Sequence, residues 1–149
     1  MKTAIVYYSK HNNNTKKVLD AIQKASTDEI RLIDVTTTPA ADLTGYDRIG
    51  FASGIYYSKF EKRVLEFAKQ NTPAEKDVFF IYTCGSEKAG YTKAIREALA
   101  GKDAHILGEY GCLGLDTFGP FKLIGGIAKN HPDSTDIRNA ISFYNGLGQ

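Results

Sequence analysis

Strand-like apolar runs that alternate with apolar residues at helical spacing constrain this chain more than any other feature of it. "TAIVYY" (3–8) is a continuous β-branched and aromatic run, as a strand buried on both faces requires, and Val18, Leu19 and Ile22 follow at the spacing of one helix face. The pattern continues through "EIRLIDV" (29–35), "YDRIGFAS" (46–53), a helix over "KFEKRVLEFAKQ" with Phe60, Val64 and Phe67 on one side, and "DVFFIYT" (77–83). It ends with a helix over "YTKAIREALA", the run "AHILGEYG" (104–111), and a helix from about Thr135 to Tyr144. Strands separated by helices need right-handed crossovers, so the chain is expected to form an α/β fold: a doubly wound five-stranded parallel sheet with helices on both faces. "TTTPAADLTG" (36–45) and "DTFGPFKLIGG" (116–126) are the only long irregular stretches, and no repeat or linker divides the 149 residues, which are expected to form a single domain.

In such a sheet, ligands bind beyond the carboxyl ends of the strands, where the strand order reverses. Four loops lie there: "SKHNNNT" (9–15), "SGIYYSKF" (53–60), "TCGSEKAGY" (83–91) and "CLGLDTFGPF" (112–121), called loops one to four below. Loop one enters a helix, whose first N–H groups and partial positive charge suit an anion. Ser9, Asn12, Asn13, Asn14 and Thr15 add hydroxyls and amides, and asparagine tolerates the left-handed backbone that a nest of N–H groups needs. Asn14 or Thr15 could simply cap the helix, but capping needs one such residue and not five.

These residues carry a resemblance. Loop one is similar to the Ser-x-Thr-Gly-Asn-Thr phosphate loop of the short-chain flavodoxins, and closer to a one-residue-longer bacterial variant, Ser-x-His-His-Gly-Asn-Thr. It matches the variant at Ser9, His11, Asn14 and Thr15 and departs from it at Asn12 and Asn13. The order of elements, loops two and three, and the closing "GLDTFGPFKLIGGIAKNHP" extend the resemblance over nearly the whole chain. It implies strand order 2-1-3-4-5 and FMN as cofactor. The phosphate would lie against Ser9, Lys10, His11, Asn12, Asn13, Asn14 and Thr15. From loop two, Ser53, Gly54, Ile55, Tyr56 and Tyr57 would contact the flavin, with Tyr56 the first choice for the stacking wall. From loop three, Thr83, Cys84 and Gly85 would meet the polar ring edge, and Tyr91 would form a second wall.

Other chemistries fit less well. "GSEKAGYT" (85–92) has the spacing of a nucleotide-triphosphate loop, but Tyr91 stands where the phosphate-binding lysine must be. No Gly-x-Gly-x-x-Gly follows the first strand. His11, His105 and His131 are scattered, Cys84 and Cys112 lack metal or CxxC spacing, and neither Cys84 nor Ser86 has an activating histidine nearby in sequence. No metal site and no catalytic residue is therefore expected. The net charge of +2 is spread without a basic block, against nucleic-acid binding, and the apolar runs are too short to cross a bilayer. The N-terminus lacks a signal-peptide pattern, so a cytoplasmic location is expected.

Three functions stay open on the sequence. The first is an electron carrier that binds FMN and passes single electrons between redox partner proteins, a reductase and an acceptor. The second is an FMN-dependent reductase taking hydride from NAD(P)H to a quinone or nitro compound, and the third a module of this fold without FMN. The chain is short and shows no nicotinamide site, which favours the carrier, as a monomer.

Overall fold

The computed structural model describes residues 1–10, 12–116 and 126–148; His11, residues 117–125, which include the end of loop four, and Gln149 lie outside the described residues. Five long strands, β1 (Lys2–Tyr8), β2 (Glu29–Asp34), β3 (Arg48–Tyr56), β5 (Asp77–Cys84) and β6 (His105–Leu113), form a parallel sheet in the order β2-β1-β3-β5-β6. This is the order expected for the five parallel strands. The added element is β4 (Lys59–Phe60), which pairs antiparallel with the end of β3.

Four helices are described: α1 (Asn14–Ala25), α2 (Lys62–Asn71), α3 (Lys93–Ala98) and α4 (Ser134–Asn145). The pleat of β1 sends Ile5 and Tyr7 to the face covered by α1 and α4, where Val18, Leu19, Ile22, Ala140 and Tyr144 complete a core with Phe79 and Ile81. It sends Ala4 and Val6 to the face covered by α2 and α3, against Phe51, Val64, Phe67, Phe80 and Ile95. Two buried faces explain why the strands read as apolar runs without alternation.

Two expectations need correction. Phe60, placed on a helix by its spacing to Val64 and Phe67, is instead a fully buried strand residue of β4. The helix starts two residues later because the Glu61 carboxylate caps it, accepting from the Arg63 N–H at 2.7 Å. Gly54 to Tyr56 were expected in a loop; they extend β3, Gly54 still pairing with Thr83 of the parallel sheet and Ile55 and Tyr56 pairing with β4. Tyr57 and Ser58 turn between the two strands with φ of 52° and 65°, both left-handed, as the tightest hairpins require.

Candidate functional site

Register brings the loops together. Tyr8 pairs with Ser53, Gly54 with Thr83 and Cys84 with Leu113, so the strand ends that feed loops one to four lie side by side. The chain leaves β1 for β2 on one side and later runs through β3, β5 and β6 on the other, so the order reverses between β1 and β3. An open cleft of about 290 Å³ lies at this end.

Of the residues expected at the site, Ser9, Asn14, Thr15, Gly54, Ile55, Tyr56, Tyr57, Thr83, Cys84, Gly85 and Tyr91 line the cleft. Lys10, Asn12, Asn13 and Ser53 do not. Lys10 is exposed, and Ser53 is buried with its hydroxyl accepting the Glu61 N–H at 3.0 Å, which steers the chain into α2. Ser58, Ser86, Gly114, Leu115 and Ile127 also line it and were not singled out from the sequence, as do Lys88 and Asp116, which were expected only as charges near the ring.

The asparagine corner has two jobs. Asn12 and Asn13 adopt φ of 58° and 52°, and this left-handed pair turns the chain into α1, with the Asn13 carbonyl accepting the Lys17 N–H at 3.0 Å. The corner also holds loop four: the Leu115 carbonyl accepts from the side-chain amides of Asn12 at 3.1 Å and Asn14 at 2.7 Å. The Leu115 N–H donates to the His131 carbonyl at 2.9 Å, so this peptide is fixed from both sides. The Oδ1 of Asn14 is buried, faces no donor among the described residues, and belongs to a residue that lines the cleft. An incoming hydroxyl or N–H would satisfy it.

Hydroxyls complete the floor. Ser9 Oγ accepts the Lys16 N–H at 3.0 Å and keeps its own proton for another acceptor. Thr15 and Thr83 form a buried 2.9 Å pair, in which one proton is used between them and the other remains to be donated. Tyr91 is only 6% exposed; its hydroxyl donates to the Ser86 carbonyl at 2.7 Å, which braces loop three. Burial raises the Tyr91 and Tyr82 hydroxyls above their ordinary range and pushes the Cys84 and Cys112 thiols up to about 11 and about 12, so all four are protonated at neutral pH. Two glycines allow the loops to close. A methyl group at Gly85 would meet Asp116 Oδ2 at 2.5 Å and Ile127 Cδ1 at 2.9 Å, and one at Gly114 would meet the Asn14 amide at 2.7 Å.

Behind loop four, His131, Asp133 and Asp136 hold possible ligand atoms within 4.8 Å of one another. Both carboxylates are engaged in capping α4, Asp133 accepting the Asp136 N–H and Asp136 accepting the Asp133 N–H. His131 Nδ1 lies 2.7 Å from Asp136 Oδ2, and this hydrogen bond raises the imidazole above its ordinary value. A histidine whose folded value is raised contributes stability in full below about pH 6.5, and the contribution is lost as pH rises through the folded value. His131→Gln is therefore expected to lower the melting temperature at pH 5.5 and to have a smaller effect at pH 8.5. A difference independent of pH would show that the pair does not couple to folding.

A sheet of this order, with a helix-opening polar corner at the point of reversal, is the flavodoxin-like doubly wound arrangement. A family model described as the flavodoxin domain matches residues 4–104, and the chain belongs to that family. It is 38% identical over 145 residues to an uncharacterized protein of Methanocaldococcus jannaschii, covering 96% of this chain and 95% of that protein. The fold is similar to that of a flavodoxin from the domain Archaea, with a TM-score of 0.70 at 16% identity over 94% of this chain and 92% of the other. It is similar as well to a flavoprotein of Lactobacillus acidophilus in complex with FMN, with a TM-score of 0.55 at 19% identity over 74% and 92% of the two chains. An NADH:FMN oxidoreductase gives a TM-score of 0.58 at 15% identity over 100% and 91%. At these identities the structural likenesses establish the fold alone. Among the described residues no helix is long and apolar enough to cross a membrane.

Proposed function

We infer that the cleft binds FMN and that the protein carries electrons between a reductase and an acceptor protein. The observation that carries this reading is the left-handed Asn12–Asn13 corner, which opens α1 at the cleft beside the hydroxyls of Ser9 and Thr15. The first N–H groups of a helix have no intrahelical partner, and an anion such as the FMN phosphate satisfies them. Lys10 and His11, with the Asn12 and Asn13 peptides, are assigned to the same phosphate corner. Asn14 Oδ1 would accept from a hydroxyl of the FMN polyol, which answers its lack of a donor. Gly54, Ile55, Tyr56 and Tyr57 form the wall on the β3 side and Leu115 belongs to the loop-four side, while Ser53 supports the hairpin from beneath. The backbone at Thr83, Cys84 and Gly85 would meet the polar ring edge, with Tyr91 bracing that loop.

Bound FMN supplies the capacity to take up and release electrons. The protein's part is to hold the cofactor, limit water, and leave one edge open to a partner. The chain is short and its sequence shows no nicotinamide site, which supports a carrier over an enzyme that must also seat a nicotinamide. A single-domain monomer in the cytoplasm belongs to the same proposal.

Two measurements test it together. The protein should bind FMN one to one with quenching of flavin fluorescence. The loaded protein should oxidise NADH or NADPH in the presence of menadione no faster than free FMN does. Absence of FMN uptake removes both flavin functions, and rapid turnover replaces the carrier with the reductase.

A further inference from the structure

We propose that the end of the molecule around the cleft mouth docks a protein partner whose redox centre is ringed by carboxylates. This rests on the electron-carrier reading and adds the surface chemistry of the partner.

In this sheet α1, α2 and α3 follow β1, β3 and β5 and begin at the cleft end. A helix N-terminus favours Asp or Glu in its first turn and disfavours Lys or Arg. None of the three has an acidic residue there. Lys16 and Lys17 stand in the first turn of α1, Lys62 and Arg63 in that of α2, and Lys93 opens α3. The α4 helix has the opposite arrangement, with Asp136 in its first turn and a capping box. Helix stability therefore does not account for the basic residues at the other three starts.

The loops add to the charge. Lys10, Lys59 and Lys88 are exposed beside the same mouth, against Glu61 and Glu87 in these three connections and Asp116, which lines the cleft from loop four. Lys16 is paired with Asp20, and the Glu61 carboxylate is turned onto the Arg63 N–H. Among the described residues Lys10, Lys17, Lys59, Lys62, Lys88 and Lys93 form no ion pair. Because the whole chain carries only +2, the rest of the molecule is net acidic, and the charge separation points the cleft toward a negative surface. At the hairpin tip, Tyr57 is 83% exposed and lies two residues from Lys59 on backbone set by the tight turn. An aromatic held in place within a basic rim gives a docking face a central anchor at low entropic cost. The rim sits where an electron would leave the cofactor, which favours a redox protein over a bulk polyanion.

The test uses the full-length, FMN-loaded chain and two probe proteins: an acidic plant-type [2Fe–2S] ferredoxin and basic cytochrome c. FMN loading is read separately by visible absorbance, so a failure to load overturns the electron-carrier reading without bearing on the docking measurement. Lys59→Glu combined with Lys62→Glu should weaken ferredoxin binding at low salt by about tenfold or more and strengthen binding of cytochrome c. Lys24→Glu combined with Lys69→Glu makes the same change of net charge at the opposite end of the sheet, where α1 and α2 finish, and should change either affinity by less than about twofold. Equal losses for the two pairs would overturn the proposal, because net charge alone would then explain binding. So would a loss of NADPH binding in the Lys59/Lys62 variant with ferredoxin binding unchanged, which would assign the rim to a nucleotide phosphate.

Discussion

Thr15→Val is expected to weaken FMN binding about tenfold or more while leaving riboflavin binding lower by only a small and separate amount. Thr15 is 1% exposed, lines the cleft, and shares a 2.9 Å hydrogen bond with Thr83. Valine keeps the shape and removes a hydroxyl from the pair, so the proton that the pair could donate to a phosphate oxygen is lost. A hydrogen bond to a charged acceptor contributes about 1.5–3 kcal/mol, which sets the size of the effect. The variant also deprives Thr83 of a partner, and that structural cost falls on both ligands equally. The ratio of FMN to riboflavin affinity therefore isolates the phosphate contribution. Equal losses for the two ligands would move the phosphate away from Thr15.

The second large effect is on stability. Arg48 is 6% exposed at the far end of the sheet, where its guanidinium reaches Asp28 Oδ2 at 3.2 Å and the Leu147 carbonyl at 3.3 Å and lies over the Tyr144 ring at 4.8 Å. Asp28 also accepts the Tyr144 hydroxyl at 2.9 Å. Partial burial works to raise the Asp28 carboxyl, but hydrogen bonds from Tyr144 and Arg48, together with the N-terminal ammonium, more than offset it and hold the group below the usual carboxylate range. Removing one member of a buried ion pair typically costs about 3–5 kcal/mol, and the partial exposure of Asp28 lowers the expectation for Arg48→Met to about 2–4 kcal/mol. For a chain of this length that corresponds to a fall of about 5–15 °C in melting temperature. Arg48→Met combined with Asp28→Asn should recover part of the loss, since no charge is then left behind. A single variant within about 1 kcal/mol of the parent would show that the network contributes little to folding.

The sheet was legible because its strands are covered on both faces and so carry uninterrupted apolar runs. The four loops of the cleft follow directly from that topology. What was not legible depended on contacts distant in sequence. Phe60 carries the spacing of α2 by coincidence, and the Tyr57–Ser58 turn lacks the Asn-Gly or Gly-Gly pairs that announce a tight hairpin. Leu115 enters the cleft because Asn12, Asn14 and His131 fix its peptide, a contact across about a hundred residues that no local pattern contains. The asparagines were read as donors to a ligand. Two of their amides turn out to serve the protein, while their left-handed backbone makes the corner. Tyr91 was read as a wall; it lines the cleft, and its hydroxyl also donates to the Ser86 carbonyl of the same loop, a bond that no local pattern announces.

The bond from Asn14 to Leu115 also sets an order of events in synthesis. The first loop of the cleft leaves the ribosome about 5–20 s before the segment that locks it, at ordinary elongation rates of about 5–20 residues per second. During that interval the left-handed corner has no carbonyl to hold, and the α4 helix that fixes His131 comes later still. The cleft therefore closes among the last acts of folding, and a chain cut short before residue 131 keeps Leu115 but loses the carbonyl that holds its peptide from the other side.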